Sequence, residues 1–199
     1  MEMGIHRLCP RTDFTFRPER FALEKSFLTL GNNLVILKIE TMFGKDDLLT
    51  DAQLHELLKD NGYTLAVLKG DQVVFHSQER GLKPLYQLYR QQPELLRDSV
   101  IADKVTGKAA AVLAVLGGAK EVYSDLISEH AFQVLESGGV KTRYGGKAPY
   151  IINRTKTGMC PMETLVMDAA SPEEGAARLI EFFEGLKEKQ NGTEKNERH

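Results

Sequence analysis

The stretch from Ser99 to Gly118, SVIADKVTGKAAAVLAVLGG, constrains this chain more than any other. From Val105 to Leu116 only Thr106, Gly107 and Lys108 interrupt small or aliphatic residues. A helix over these positions is apolar almost all round, so it must be covered on most sides and forms the spine of the domain. Gly117-Gly118 stops it. The same pattern puts Asp103, Lys104 and Lys108 in its opening turn. A lysine there meets the positive end of the helix dipole, unfavourable by roughly 0.3–1 kcal/mol unless it reaches solvent or an anion.

Around this spine the pattern alternates helix with strand. Thr50 caps a helix whose Leu54, Leu57 and Leu58 share a face, and Asn61-Gly62 ends it. Tyr63 to Leu68, the turn Lys69-Gly70-Asp71-Gln72 and Val73 to Ser77 predict a hairpin. A helix from Lys83 to about Arg90 has Pro84 early, where its missing N–H costs little. After the spine come a strand over Glu121–Ile127, a helix over Glu129–Glu136 capped by Ser128, and strands over Val140–Tyr144 and Ala148–Asn153. Ser171-Pro172-Glu173-Glu174 opens a last helix that buries Leu179, Ile180, Phe182, Phe183 and Leu186. Such alternation predicts an α/β domain of three layers, α/β/α, with helices on both faces of one sheet.

Residues 1–41 read differently, with Phe14, Phe16, Phe21 and Phe27 scattered among charges and one apolar stretch, Leu34 to Ile39, suited to a short strand or hairpin. Met42 begins a run that resembles an ordinary protein start. The expected division is therefore 1–41 as a poorly ordered extension or start-site artefact, 42–187 as the domain, and 188–199 as a disordered polar tail.

A length of 199 residues suits one domain with a sizeable core. The net charge of -2, with both signs interspersed, lacks the basic field of a nucleic-acid binder. Two distant cysteines, Cys9 and Cys160, provide neither a disulfide scaffold nor a metal knuckle, which fits a reducing cytoplasm. No apolar run has the length of a membrane span. The expected partner is a small anionic molecule rather than nucleic acid or membrane, with self-association open and no cofactor or metal implied.

Cys160-Pro161-Met162-Glu163 has capping-box spacing, with Glu163 reaching back to a free backbone N–H. Its functional alternative is a helix-terminal thiol acting as nucleophile or redox group, although Glu163 opposes the thiolate. Asp103, Lys104 and Lys108 likewise admit two readings. Either Asp103 stabilises a helix start while the lysines extend into water, or Lys104 and Lys108 hold a phosphate or carboxylate beside free N–H groups, with Gly107 allowing close approach. Asn153-Arg154 lies in a polar loop where the guanidinium could bind an anion. His76 and His130 stand alone in sequence, without the close-spaced ligands that zinc needs.

Together the hairpin, Glu79-Arg80-Gly81-Leu82-Lys83-Pro84-Leu85, Ala102-Asp103-Lys104-Val105-Thr106-Gly107-Lys108-Ala109-Ala110, Ile152-Asn153-Arg154 and Cys160-Pro161-Met162-Glu163 resemble an uncharacterised family, a domain of unknown function grouped with the cytidine deaminase-like superfamily. The resemblance covers about Leu48 to Met167. It implies a mixed β-sheet flanked by helices, with any site at the N-termini of helices that follow strands. Zinc deaminases carry His-x-Glu and Pro-Cys-x-x-Cys at two helix starts. Here the corresponding places show Asp103-Lys104-Val105 and Ser128-Glu129-His130-Ala131, so the zinc-deaminase residues are missing and only the fold carries over. The expectation is a domain binding a small anionic, nucleotide-like ligand through Lys104, Lys108, Asn153 and Arg154. Its alternatives are an enzyme with Cys160 as nucleophile, Asp103 or Glu163 handling protons and Lys104 stabilising negative charge, or a non-catalytic interaction domain.

Overall fold

The first four full strands pair because their apolar residues alternate or run continuously between turn signals. The structure, a computed structural model, describes residues 37–38 and 49–196. Five full strands, β2 (Leu65–Lys69), β3 (Gln72–Ser77), β4 (Val100–Thr106), β5 (Glu121–Ser128) and β6 (Lys141–Ala148), form one mixed sheet with the two-residue edge strand β1 (Leu37–Lys38). Their order is β1-β3-β2-β4-β5-β6. The pairs from β1 to β4 are antiparallel, and β4, β5 and β6 run parallel. The helices are α1 (Asp51–Asp60), α2 (Lys83–Gln91), α3 (Lys108–Leu116), α4 (Glu129–Ser137), α5 (Pro161–Leu165) and α6 (Pro172–Asn196). A single 3-10 turn, Pro93–Leu95, precedes β4.

Strand side chains alternate in direction, and the buried residues divide accordingly. Ala66, Leu68, Ala102 and Tyr123 pack with Leu54 and Leu58 of α1. Leu65, Val67, Ile101 and Val122 join the larger cluster, with Leu85 and Leu88 of α2, Ala109–Ala111 and Leu113 of α3, Leu135 of α4 and Leu179 of α6. The expected spine is real, since every residue from Ala109 to Ala114 is buried.

Its start differs from the expectation. Asp103 and Lys104 lie on β4, not in a helical turn, and the helix begins at Lys108 behind the N-cap Gly107. Val100, Ile101, Val105 and Thr106 are β-branched, and the backbone of this segment pairs with both β2 and β5. The strand expected over Ala148–Asn153 does not form either. β6 runs on to Ala148, and Ile152 makes only an isolated bridge to Met159.

The caps of α1, α4 and α6 are those expected. Thr50 and Gln53 form a reciprocal box, Ser128 Oγ accepts from the Ala131 N–H, and Ser171 Oγ from the Glu174 N–H. Helix α6 continues to Asn196, so the stretch expected as a disordered tail is helical that far. Its Glu, Lys and Gln residues are good helix formers, which explains the difference. The proposed start at Met42 and the disorder of 1–41 fall outside the described residues, apart from Leu37–Lys38, which pair with β3.

Candidate functional site

Parallel strands followed by helices direct the helix N-termini to the carboxyl ends of the strands, where open α/β sheets commonly hold ligands. Here the starts of α3, α4 and α5 meet at one side chain. Glu163, third residue of α5, is 1% exposed. Its Oε2 accepts from the Ile151 N–H at 2.7 Å and its Oε1 from the Lys108 N–H at 3.4 Å. His130, near the start of α4, has its Nδ1 3.6 Å from Oε1, and that buried nitrogen makes no hydrogen bond among the described residues.

The expected capping box is therefore absent. The Cys160 N–H donates instead to the Ile151 carbonyl at 2.7 Å, which removes the group that Glu163 was to satisfy. The Glu163 carboxylate turns to the first turn of α3, whose unpaired N–H groups lack an internal acceptor. Gly107 makes room. A Cβ there would stand 3.3 Å from Ile151 Cγ1 and 3.5 Å from Glu163 Oε2. Cys160 is a free, partly exposed thiol with no side-chain cap bond.

Asp103 lies in the middle of β4, half-buried. Its Oδ1 accepts from the Val105 N–H and its Oδ2 from the Thr106 hydroxyl. Burial, reinforced by the charge of Asp125 and opposed by those two donors, pushes its carboxyl up to about 7. Between the ordinary value of 3.8 and that folded value, the folded state holds the extra proton. Stability from this group thus falls as pH rises through the window and levels off above it. Asp103→Asn is expected to remove that slope, gaining on the parent chain between about pH 4 and about pH 8 in urea midpoints. A constant difference across that range would refute the assignment.

The four residues expected to bind ligand are dispersed. The Lys108 ammonium donates to the Met167 carbonyl at 2.5 Å, beyond the end of α5, where carbonyls lack helical partners. Asn153 organises its own loop, accepting from the Thr157 N–H and the Thr155 hydroxyl and donating to the Thr157 hydroxyl. Arg154 donates to the Arg80 carbonyl at 3.1 Å, in a turn where Gly81 adopts φ +98°. Only the Lys104 ammonium, of these four groups, has no hydrogen bond or ion pair among the described residues.

The sequence pattern left one charged cluster unread. Glu121 opens β5 fully buried, and Arg143 on β6 donates its Nε to Oε1 at 2.5 Å while its Nη2 contacts the same oxygen. Lys141 Nζ lies 3.1 Å from Oε2. Arg143 Nη1 also donates to the Leu49 carbonyl and to Asp51, tying β6 to the start of α1. The signal was present, because Lys141 and Arg143 stand two apart and so share a strand face. Among the described residues no group of three His, Cys, Asp or Glu side chains is placed to hold a metal ion. No described helix is long and apolar enough to cross a membrane.

A family model described as TM1506, domain of unknown function (DUF1893), matches residues 53–183. The chain belongs to that family. The matched span runs from inside α1 into α6, so the DUF1893 domain contains Asp103, Glu163 and every strand from β2 to β6. The crystal structure of a DUF1893 family protein from Thermotoga maritima is similar, with a TM-score of 0.60 at 23% identity, over 72% of this chain and 97% of that one. At that identity the likeness speaks for the fold alone. No curated protein matches this DUF1893 chain.

Proposed function

We propose that this DUF1893 chain is a three-layer, cytidine deaminase-like domain without a zinc centre, which binds a small anionic, nucleotide-like molecule at the carboxyl ends of β4 and β5. One observation carries the reading. The starts of α3, α4 and α5 converge on a single buried carboxylate, Glu163, at that edge of the sheet. Helix starts carry partial positive charge, which the Glu163 carboxylate already answers at α3, so a ligand's anionic group depends on a further cation. Lys104, on β4, supplies a cation that has no hydrogen bond or ion pair among the described residues. Val105 and Leu126, register partners and both exposed, offer an apolar surface for a flat base. The rival role for Cys160 is weaker, because Glu163 is spent on the Lys108 and Ile151 N–H groups.

The test is thermal melting of the full chain with nucleoside phosphates, the parent nucleosides and inorganic phosphate. A ligand at a hundred times its dissociation constant stabilises by about 2.7 kcal/mol. Lys104→Ala is expected to leave the unliganded melt unchanged and to weaken a phosphorylated ligand about tenfold, or roughly 1.4 kcal/mol. An absence of any shift with phosphorylated compounds, or an undiminished shift in the variant, would remove this reading.

A further inference from the structure

A second constellation lies between α1 and β5, apart from Glu163. His55 of α1 places its Nδ1 2.8 Å from Asp125 Oδ1, and the Tyr123 hydroxyl donates to the same oxygen at 3.0 Å. Tyr123 is buried, and burial followed by the Asp125 carboxylate pushes its hydroxyl up to about 12, so it remains a donor. A carboxylate only accepts, so the bond fixes the imidazole with its proton on Nδ1 and the lone pair on Nε2. The His55 side chain is 49% exposed, and Nε2 has no partner among the described residues. A reactive group aligned by a second, which is held by a third, is the arrangement that covalent catalysis uses.

We propose that His55, aligned by Asp125 and Tyr123, is a nucleophilic imidazole that accepts an acyl group from a neutral activated ester. The Nε2 lone pair attacks the ester carbonyl carbon, the carbon–oxygen bond to the leaving group breaks, and the alkoxide or phenoxide departs with the electron pair. The acyl-imidazolium is balanced by the Asp125 carboxylate. Water then adds to the acyl carbon, the carbon–nitrogen bond breaks, and the released proton neutralises the leaving group, so the sum is ester plus water giving acid plus alcohol. A neutral substrate fits because Asp125 touches the imidazole and Asp103 is close enough to Asp125 to feel its charge. Leu126, the next residue of β5, is exposed and pairs with Gly146, which has no side chain to cover it.

The probe is p-nitrophenyl acetate with the full chain, following p-nitrophenolate release and the acetyl mass on the peptide that contains His55. The expected result is release above buffer, lost in His55→Gln and about tenfold slower in Asp125→Asn, with the melts of all three chains compared. Tyr123→Phe supplies a variant of nearly the same shape, and its rate should fall between the parent and Asp125→Asn. Equal release from the parent and His55→Gln overturns the proposal. So does an unchanged rate in Asp125→Asn, which would mark His55 as an ordinary surface imidazole.

Discussion

Glu121→Ala is expected to cost about 3–5 kcal/mol of stability, because removing one member of a buried ion pair leaves the other uncompensated. Arg143 is mostly buried, and the Glu121 side chain is fully so. Truncation leaves the Nε and Nη2 of Arg143 without their acceptor, Nη1 alone keeping Asp51 and the Leu49 carbonyl, while Lys141 loses its only described acid. The loss corresponds to a fall in Tm on the order of 10 °C for a domain of this size. Glu121→Gln tests charge against shape and should fall nearly as far, since an amide cannot balance a cation. The double variant Glu121→Met, Arg143→Met should recover much of the loss, because apolar replacement of a whole buried pair is often neutral. Urea or thermal melts of the parent and these three variants make the comparison. A loss below about 1 kcal/mol in Glu121→Ala would show the cluster to be well solvated, as surface pairs are.

That cluster also shows where sequence reading stops. Helix starts at Thr50, Ser128 and Ser171 were legible because a cap is a local device, complete within four residues. The burial of Ala109–Ala114 was legible too, since a helix without a polar face has one solution. The beginning of that helix was not. Asp103-Lys104 reads acceptably as a helical turn, and only pairing with β2 and β5 makes it strand. Glu163 failed for a related reason. Its spacing from Cys160 fits a box, but Ile151, nine residues before Cys160, takes the Cys160 N–H with its carbonyl and offers its own N–H to the Glu163 carboxylate. The four expected ligand groups were chosen by residue type, and three of them proved to satisfy carbonyls or a loop. His130 was read as a lone histidine because its neighbour, Glu163, arrives from a different helix.

Glu163→Ala is the second large effect expected, at about 3 kcal/mol, and its cause differs from that at Glu121. The carboxylate accepts from two backbone N–H groups, and each such donor left buried and unpaired costs roughly 1–3 kcal/mol. The Lys108 bond, at 3.4 Å, is long, so the Ile151 bond carries more of the loss. Loss of it should free the segment around Ile151 and, with it, the Cys160 N–H that donates to the Ile151 carbonyl. Hydrogen exchange separates this from a general weakening: protection at Ile151, Cys160 and Lys108 should fall more than protection in β4 and β5. Glu163→Gln should lose less, because its carbonyl oxygen can keep the Ile151 bond while its amide must turn toward Lys108. The Gly107→Ala variant probes the same contact from the other side. A Cβ 3.3 Å from Ile151 Cγ1 must push that side chain by a few tenths of an ångström, so Gly107→Ala and Glu163→Ala should be non-additive. Additive losses would mean that Glu163 and Gly107 do not hold Ile151 in common, and the convergence of three helix starts would lose its structural basis.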